Sequence, residues 1–245
     1  MTQTLKRSVN GFLGVFGLQL GRKHAPFIEG TERIRGSFPL YEQLQQIGRP
    51  ENYFIHDSYQ HRKEYSYYDD RSNSDAWQDE VYRFAKEIAD AHNLETVADI
   101  GCGSGYKLMK YFRDRKTIGM DVSETYEALR RRYPGRQWAL SDFSGDVPPH
   151  VDLVISADVI EHLLHPEQLI EYILRINPQY IIFSTPDRNL MRMGTHNGPP
   201  GNLNHIREWS LAELHTYLSE YLQIIEHFHS NCAQWTQCVL ARPKT

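Results

Sequence analysis

Residues 97–112 read VADIGCGSGYKLMKYF. An apolar run closes on glycines at alternate positions, Gly101, Gly103 and Gly105, with Asp99 just ahead of them and an amphipathic segment behind. That order predicts a strand, a tight turn and a helix, because glycine admits backbone conformations closed to other residues and lets the chain pass close to a bound group. The spacing limits what is bound. A dinucleotide fingerprint, G-x-G-x-x-G, needs its third glycine at 106 or 108, where the chain has Tyr106 and Leu108. A Walker loop needs G-x-x-x-x-G-K-[ST], and the chain has no such run.

Outward from this turn, apolar runs alternate with helical periods. Strands are expected near 97–100, 116–121, 137–140, 151–156, 179–184, 222–228 and 235–241, and helices near 104–113, 123–132, 166–175 and 211–220. Such alternation predicts an α/β fold with a mostly parallel, seven-stranded sheet covered by helices on both faces. Only a turn, HSNCAQ, separates the last two runs, so they should pair as a C-terminal antiparallel hairpin; a parallel crossover needs about a dozen residues or more. Ahead of the first strand, Ser74 or Asp75 is placed to cap a helix with Trp77, Val81, Phe84, Ile88 and Ala91 on one face. Residues 22–60 contain Pro26, Pro39 and Pro50 without a sustained period, which predicts an irregular connector with a short helix near PLYEQLQQIG. The expected division is an N-terminal extension over 1–74 and a main domain over 75–245.

A chain of 245 residues can bury one full core. Its 27 Lys and Arg against 31 Asp and Glu leave a net charge of −4, which argues against broad electrostatic capture of nucleic acid and favours a small or neutral substrate. Cys102, Cys232 and Cys238 form neither a C-x-x-C pair nor a zinc spacing, as expected in a reducing, cytoplasmic compartment. The stretch LKRSVNGFLGVFGLQL at 5–20 spaces Leu5, Val9, Phe12, Leu13, Phe16 and Leu20 as a helix, flanked by Lys6, Arg7, Arg22 and Lys23. It is too short to span a bilayer, and GRKHAPFIEG after it offers no convincing cleavage site. Packing on the domain, packing on a second copy in a homodimer, and a peripheral anchor on an anionic membrane are the readings it leaves open.

From Asp99 to Gly105 the chain reads D-x-G-x-G-x-G, and here it resembles the class I, Rossmann-like methyltransferases that use S-adenosyl-L-methionine. The resemblance implies that Asp99, Gly101, Cys102, Gly103 and Gly105 surround the amino-acid end of that cofactor. It implies that Asp121, at the end of KTIGMDVS, holds the ribose hydroxyls with Val122 beside the adenine, while Ser123 caps the next helix. Asp142 and Phe143, in WALSDFSGDVP, are implied to read the adenine amino group and lie against its ring. Ala157, Asp158 and Val159, in VDLVISADVIEHLLHPEQLI, are implied to line the methyl-transfer site. Glu161 and His162 fit an EH pair that many small-molecule members carry there.

Methyl transfer to a hydroxyl needs the nucleophile held near the methyl carbon and its proton removed. A histidine suits that second task, and His162 is the first candidate; the other reading of it is a residue that holds its loop. The segment STPDRNLMRMGTHNGPPGNLNHIREWS is expected to be a long irregular binding loop over the acceptor, carrying His196, His205, Arg207, Glu208 and Trp209. Its NHIREWS part is similar to a segment in methyltransferases of sugars and secondary metabolites, which implies that His205 lies near the acceptor and that Ser210 starts a helix; His205 is thus the second catalytic candidate, its other reading being capping and loop packing. Asp158, Asp187 and Glu161 offer oxygen ligands, but no motif demands a metal and none is assigned. His227 and His229 lie along a strand and are expected to be structural or exposed. In HRKEYSYYDD, Arg62, Tyr65, Tyr67 and Tyr68 either close over the cofactor or pack under the first helix. Signatures of DNA-base methylation are missing: SADV stands where a D/N-P-P-Y/F turn would fall, and no Pro-Cys pair occurs. The expected activity is O-methylation of a sugar or secondary-metabolite hydroxyl, with no nucleic-acid partner. N-methylation of a small heterocycle, or a non-catalytic partner subunit that retains the cofactor fold, remain as alternatives.

Overall fold

The computed structural model describes residues 47–64, 68–72, 77–148, 150–192, 196–231 and 235–244. The expectations for residues 5–20, for the helix near 39–48 up to residue 46, and for Tyr65, Tyr67, Ser74, Asp75 and Cys232 lie outside the described residues. In chain order the elements are α1 (Asp79–Ala91), β1 (Thr96–Ile100), α2 (Tyr106–Tyr111), β2 (Lys116–Asp121), α3 (Ser123–Arg132), β3 (Gln137–Leu140), β4 (Leu153–Ala157), α4 (Pro166–Ile176), β5 (Tyr180–Pro186), α5 (Arg188–Arg192), α6 (Leu211–Tyr221), β6 (Leu222–Asn231) and β7 (Thr236–Pro243), with short 3-10 turns at Pro50–Asn52 and Ile160–His162.

These strands form one seven-stranded sheet in the order β3-β2-β1-β4-β5-β7-β6. The first five are parallel, and β7 runs antiparallel to both β5 and β6, which is the expected terminal hairpin. Successive side chains alternate between the two faces. Ala98, Val154, Ile181, Phe183 and Val239 join a core with α4, α6, Ile55 and Tyr59. Val97, Leu153, Ile155, Ile182 and Leu240 join the opposite core with α1 and α2. Both faces are therefore dry, as in a parallel sheet wrapped by helices. From β1 the chain winds outward through β2 to β3, then returns to β4 on the other side of β1. The carboxyl ends of β1 and β4 thus flank the switch point where open α/β sheets bind ligands.

Several local expectations change. Trp77 precedes α1 and is 48% exposed, and Ala91 is exposed; Tyr82, Ala85 and Ala89 complete the buried face with Val81, Phe84 and Ile88. Ser123 does not cap α3. Val122 holds that position, its N–H goes to Asp121 Oδ1 at 2.8 Å, and the Ser123 hydroxyl turns to Glu124 instead. Ser210 does start a helix, through a capping box with Glu213. The segment after β5 is not irregular throughout, because α5 occupies its first turn and Asp187 pairs with Trp209 in a parallel bridge. His227 is buried against Gln237 at 2.9 Å, and His229 reaches the buried Asp187 carboxylate at 2.6 Å, so both serve the structure and neither is exposed. Among the described residues no helix is long and apolar enough to cross a membrane.

Candidate active site

The glycine turn leaves the carboxyl end of β1. Gly101 and Gly103 take φ of +73° and +53°, and a side chain at either would collide. A Cβ on Gly101 would stand 2.3 Å from Val159 Cγ2, and one on Gly103 1.8 Å from Asp70 Oδ2. The first approach locks the turn to the loop after β4. The second locks it to the segment at 68–72. Asp121, from the end of β2, accepts hydrogen bonds from the N–H groups of Gly103 and Val122, both at 2.8 Å, so its carboxylate shapes the turn from the neighbouring strand.

Asp99 lies beneath the turn, fully buried, and accepts the Tyr82 hydroxyl at 2.9 Å. Burial raises its pKa to about 7, opposed by the Tyr82 bond and by Lys107. Asp70 is raised to about 6, chiefly by burial and then by the Asp121 charge. Three carboxylates gathered at one turn make a site suited to a cation, and S-adenosylmethionine carries both a sulfonium and an ammonium.

A cleft of about 280 Å³ opens beside the turn. Of the residues singled out from the sequence, Tyr68, Trp77, Gly101, Cys102, Ala157, Asp158, Glu161, His162 and His205 line it. Asp99, Gly103, Asp121 and Val159 support it from behind, while Gly105 and Val122 are the N-caps of α2 and α3. Asp142 and Phe143 are not brought to this cleft. They border a separate hollow with Tyr172 and Arg175, and the Asp142 carboxylate accepts from the Ser144 N–H at 2.9 Å and hydroxyl at 2.7 Å, bonds that lower its pKa.

The other wall comes from the end of β4 and the segment after β5. Asp158 takes φ +54°, uncommon away from glycine and the kind of local strain found at functional loops. Its Oδ1 accepts the Ser184 hydroxyl at 2.6 Å. Glu161 is fully buried and neither carboxylate oxygen has a hydrogen-bond partner. Burial, then the Asp158 charge, pushes its pKa well up, and the nearby Thr185 hydroxyl eases this only in part. His162 Nδ1–H donates to the Asn204 carbonyl at 2.9 Å, which leaves Nε2 with its lone pair. Burial, then His205, lowers its pKa to about 4. His205 places Nδ1 2.7 Å from Glu208 Oε1 and Nε2 2.9 Å from the Asn202 amide nitrogen. The two imidazoles meet edge to face, their centroids 4.8 Å apart.

The remaining candidates hold the wall in place. Arg62 donates to the carbonyls of Pro200 (2.7 Å) and His205 (3.2 Å), so it straps the loop that follows α5. Arg207 donates to the carbonyls of Leu163 and Leu164, Trp209 is buried with its indole N–H on the Tyr53 carbonyl, and Tyr68 stacks on His162 at 6.0 Å. His196 lies 6.4 Å from the Tyr59 ring, outside the cleft lining. Sequence reasoning missed Tyr82, Lys107 and Asn202, which all border the cleft. Tyr82 falls in the buried period of α1 and Lys107 in the first turn after the glycines, both readable signals. Asn202 stands in an irregular loop and has none.

A methyltransferase domain family matches residues 68–231. Solved structures share the fold at low identity. The PH0226 protein of Pyrococcus horikoshii OT3 has a TM-score of 0.55 and 15% identity, covering 70% of this chain and 93% of that one. An S-adenosylmethionine-dependent methyltransferase of Clostridium acetobutylicum gives 0.55 and 14%, over 71% and 94%. Magnesium protoporphyrin IX methyltransferase of Synechocystis, solved with S-adenosylhomocysteine, gives 0.54 and 16%, over 68% and 84%. No curated protein matches the chain. The family match runs across both loops of the cleft, and the chain belongs to the methyltransferase-domain family of class I, Rossmann-like enzymes that use S-adenosylmethionine.

Proposed function

We propose that the protein transfers the methyl group of S-adenosylmethionine to a hydroxyl of a small acceptor, a sugar or a secondary metabolite. The observation that carries this reading is the convergence of Glu161, His162 and His205 on the cleft that the glycine turn also lines. In the reaction the acceptor oxygen attacks the methyl carbon in line with the sulfur. The C–O bond forms, the C–S bond breaks, neutral S-adenosylhomocysteine leaves, and the oxygen gives up its proton. Holding the oxygen about 3 to 3.5 Å from the methyl carbon supplies much of the rate. Loss of the proton needs a basic or electrophilic group next to that oxygen. The Asn204 carbonyl fixes His162 Nδ1 and leaves its Nε2 for such a role, while His205, held at Nδ1 by Glu208 and at Nε2 by the Asn202 amide, takes it only when Asn202 withdraws.

A heterocyclic nitrogen needs no such help, so the polar cluster favours a hydroxyl over the N-methylation alternative. The carboxylates around the cleft, with the net charge of −4, support a small acceptor and not a phosphodiester chain. A non-catalytic partner subunit has no use for a second wall of this chemistry.

Two measurements test the reading. Calorimetric titration of S-adenosylhomocysteine should show binding that Asp121→Ala weakens at least tenfold, about 1.4 kcal/mol, with no binding of NADH. A panel pairing hydroxyl and ring-nitrogen acceptors, scored by release of S-adenosylhomocysteine, should give O-methyl products. Turnover of heterocyclic nitrogens alone overturns the proposal.

A further inference from the structure

Glu161 presents an unusual arrangement. Its carboxylate is fully buried, neither oxygen has a hydrogen-bond partner, and one donor atom each from Glu161, His162 and His205 lie within 4.8 Å of one another. A carboxylate withdrawn from water needs a counter-charge or hydrogen-bond donors, and the nearest ring groups offer lone pairs. His162 has Nδ1–H committed to the Asn204 carbonyl, and His205 has Nδ1 on the Glu208 carboxylate. An imidazole whose far nitrogen donates to a carbonyl or a carboxylate is set up to ligate through the near one. Three donors of opposite need to the usual hydrogen-bond network, and two supporting contacts of this kind, call for a cation.

We infer that Glu161, His162 and His205 form a binding site for a divalent first-row transition metal ion, held by one carboxylate and two imidazoles and open toward the acceptor. Two nitrogen donors favour zinc, manganese, cobalt or iron over magnesium, which prefers an all-oxygen shell. Donor atoms around such an ion lie about 3 to 3.5 Å apart, so the three side chains close by on the order of 1 Å as it enters. The Asn202 amide, now 2.9 Å from His205 Nε2, gives up that lone pair; Asn202 is exposed and can swing away. Of the three oxygen ligands that the sequence left open, only Glu161 belongs to this set, since Asp158 is engaged by Ser184 and Asp187 by His229. The ion's role rests on the methyl-transfer reading: an acceptor hydroxyl in its open position would lose its proton to water more readily, with both imidazoles acting as ligands.

The test uses the full chain, stripped of metal with a chelator, and cobalt(II) and zinc(II) as probes. Wild type should bind one equivalent, with cobalt giving visible absorption bands and zinc raising the melting temperature. Glu161→Gln, nearly the same shape without the charge, should melt higher than wild type in the absence of metal, bind at least tenfold more weakly, and show no zinc-induced rise. His162→Ala with His205→Ala should lose the cobalt bands, while His215→Ala, at the separate His215 and His227 pair, and Asn202→Ala should keep them. No binding by wild type, or equal binding by Glu161→Gln, overturns the site. S-adenosylhomocysteine is titrated into the same stripped protein. Its binding without any metal binding defeats this inference alone, and metal binding without it defeats the methyltransferase reading alone.

Discussion

The two walls of the cleft are held by different means. The wall on the glycine-turn side, which under the proposed function is the cofactor wall, is a backbone construction: between Asp99 and Asp121 the chain makes a glycine turn whose Gly103 N–H is held by a carboxylate from the adjacent strand. The opposite wall, which under the proposed function is the acceptor wall, is a side-chain construction. Arg62, Arg188 and Arg207 reach carbonyls far along the chain, and Arg188 also meets the Glu213 carboxylate at 2.7 Å with both groups buried. A wall of the first kind is specified by a few adjacent residues. One of the second kind depends on charges that are costly to leave alone.

The sharpest way to break this contrast is Arg188→Met. The variant leaves Glu213, which has no exposure, with an uncompensated charge. Removing one partner of a buried pair costs about 3–5 kcal/mol, to be read from urea unfolding. In whatever fraction folds, acceptor KM should rise more than the dissociation constant of S-adenosylhomocysteine. Equal losses would mean that the two walls are one unit.

The same contrast explains what could be read in advance. Strand order aside, the fold was legible because dry sheet faces and amphipathic helices impose periods of two and 3.6 on the sequence, and the glycine turn was legible because positive φ demands glycine. The partners of Asp142 and Ser123 were not, since which of several neighbouring N–H groups a short polar side chain takes depends on turn geometry. His162 and His205 were each visible as candidates, but their meeting was not. Forty-odd residues separate them, and the carbonyl of Asn204 that orients one belongs to the loop carrying the other. Arg62 as a strap was invisible for the same reason.

The cofactor wall carries its own stored cost, and pH exposes it. Asp99 titrates near pH 7 in the folded chain, packed with Tyr82, Lys107, Asp121 and Asp70, against about 3.9 for an unfolded aspartate. Between these values the folded state binds more protons than the unfolded state, so stability falls as pH rises from about 4 to 7 and the loss is complete above. Three units correspond to at most about 4 kcal/mol. Asp99→Asn, which can still accept the Tyr82 hydroxyl, should flatten most of that slope. Asp70, raised to about 6, leaves a smaller residue of the same sign. A slope unchanged in Asp99→Asn would show that the cofactor wall tolerates its carboxylates without cost.

Gly101→Ala strains the same wall from the backbone. The φ of +73° and the 2.3 Å approach to Val159 Cγ2 leave a methyl group nowhere to go without moving the loop after β4. A loss of about 1–3 kcal/mol is expected, with S-adenosylhomocysteine binding weakened at least tenfold because the displaced loop carries Asp158. Normal affinity in a destabilised variant would separate the packing role of Gly101 from the binding role of the turn.

The smallest effect should come from Ser210→Ala at the start of α6. The serine hydroxyl accepts the Glu213 N–H at 3.3 Å, while Glu213 Oε2 accepts the Ser210 N–H at 2.8 Å. Alanine removes only the first of these. Glu213 keeps its bond to the residue-210 N–H and its ion pair with Arg188, so the loss should sit at the low end of the capping range, about 0.5–1 kcal/mol. Glu213 thus has two duties, as half of a helix cap and as the counter-charge of the acceptor wall. The ratio of the Ser210→Ala and Arg188→Met losses weighs one against the other: a loss for Ser210→Ala that matches Arg188→Met would place the anchor of the acceptor wall in the helix start and not in the buried charge.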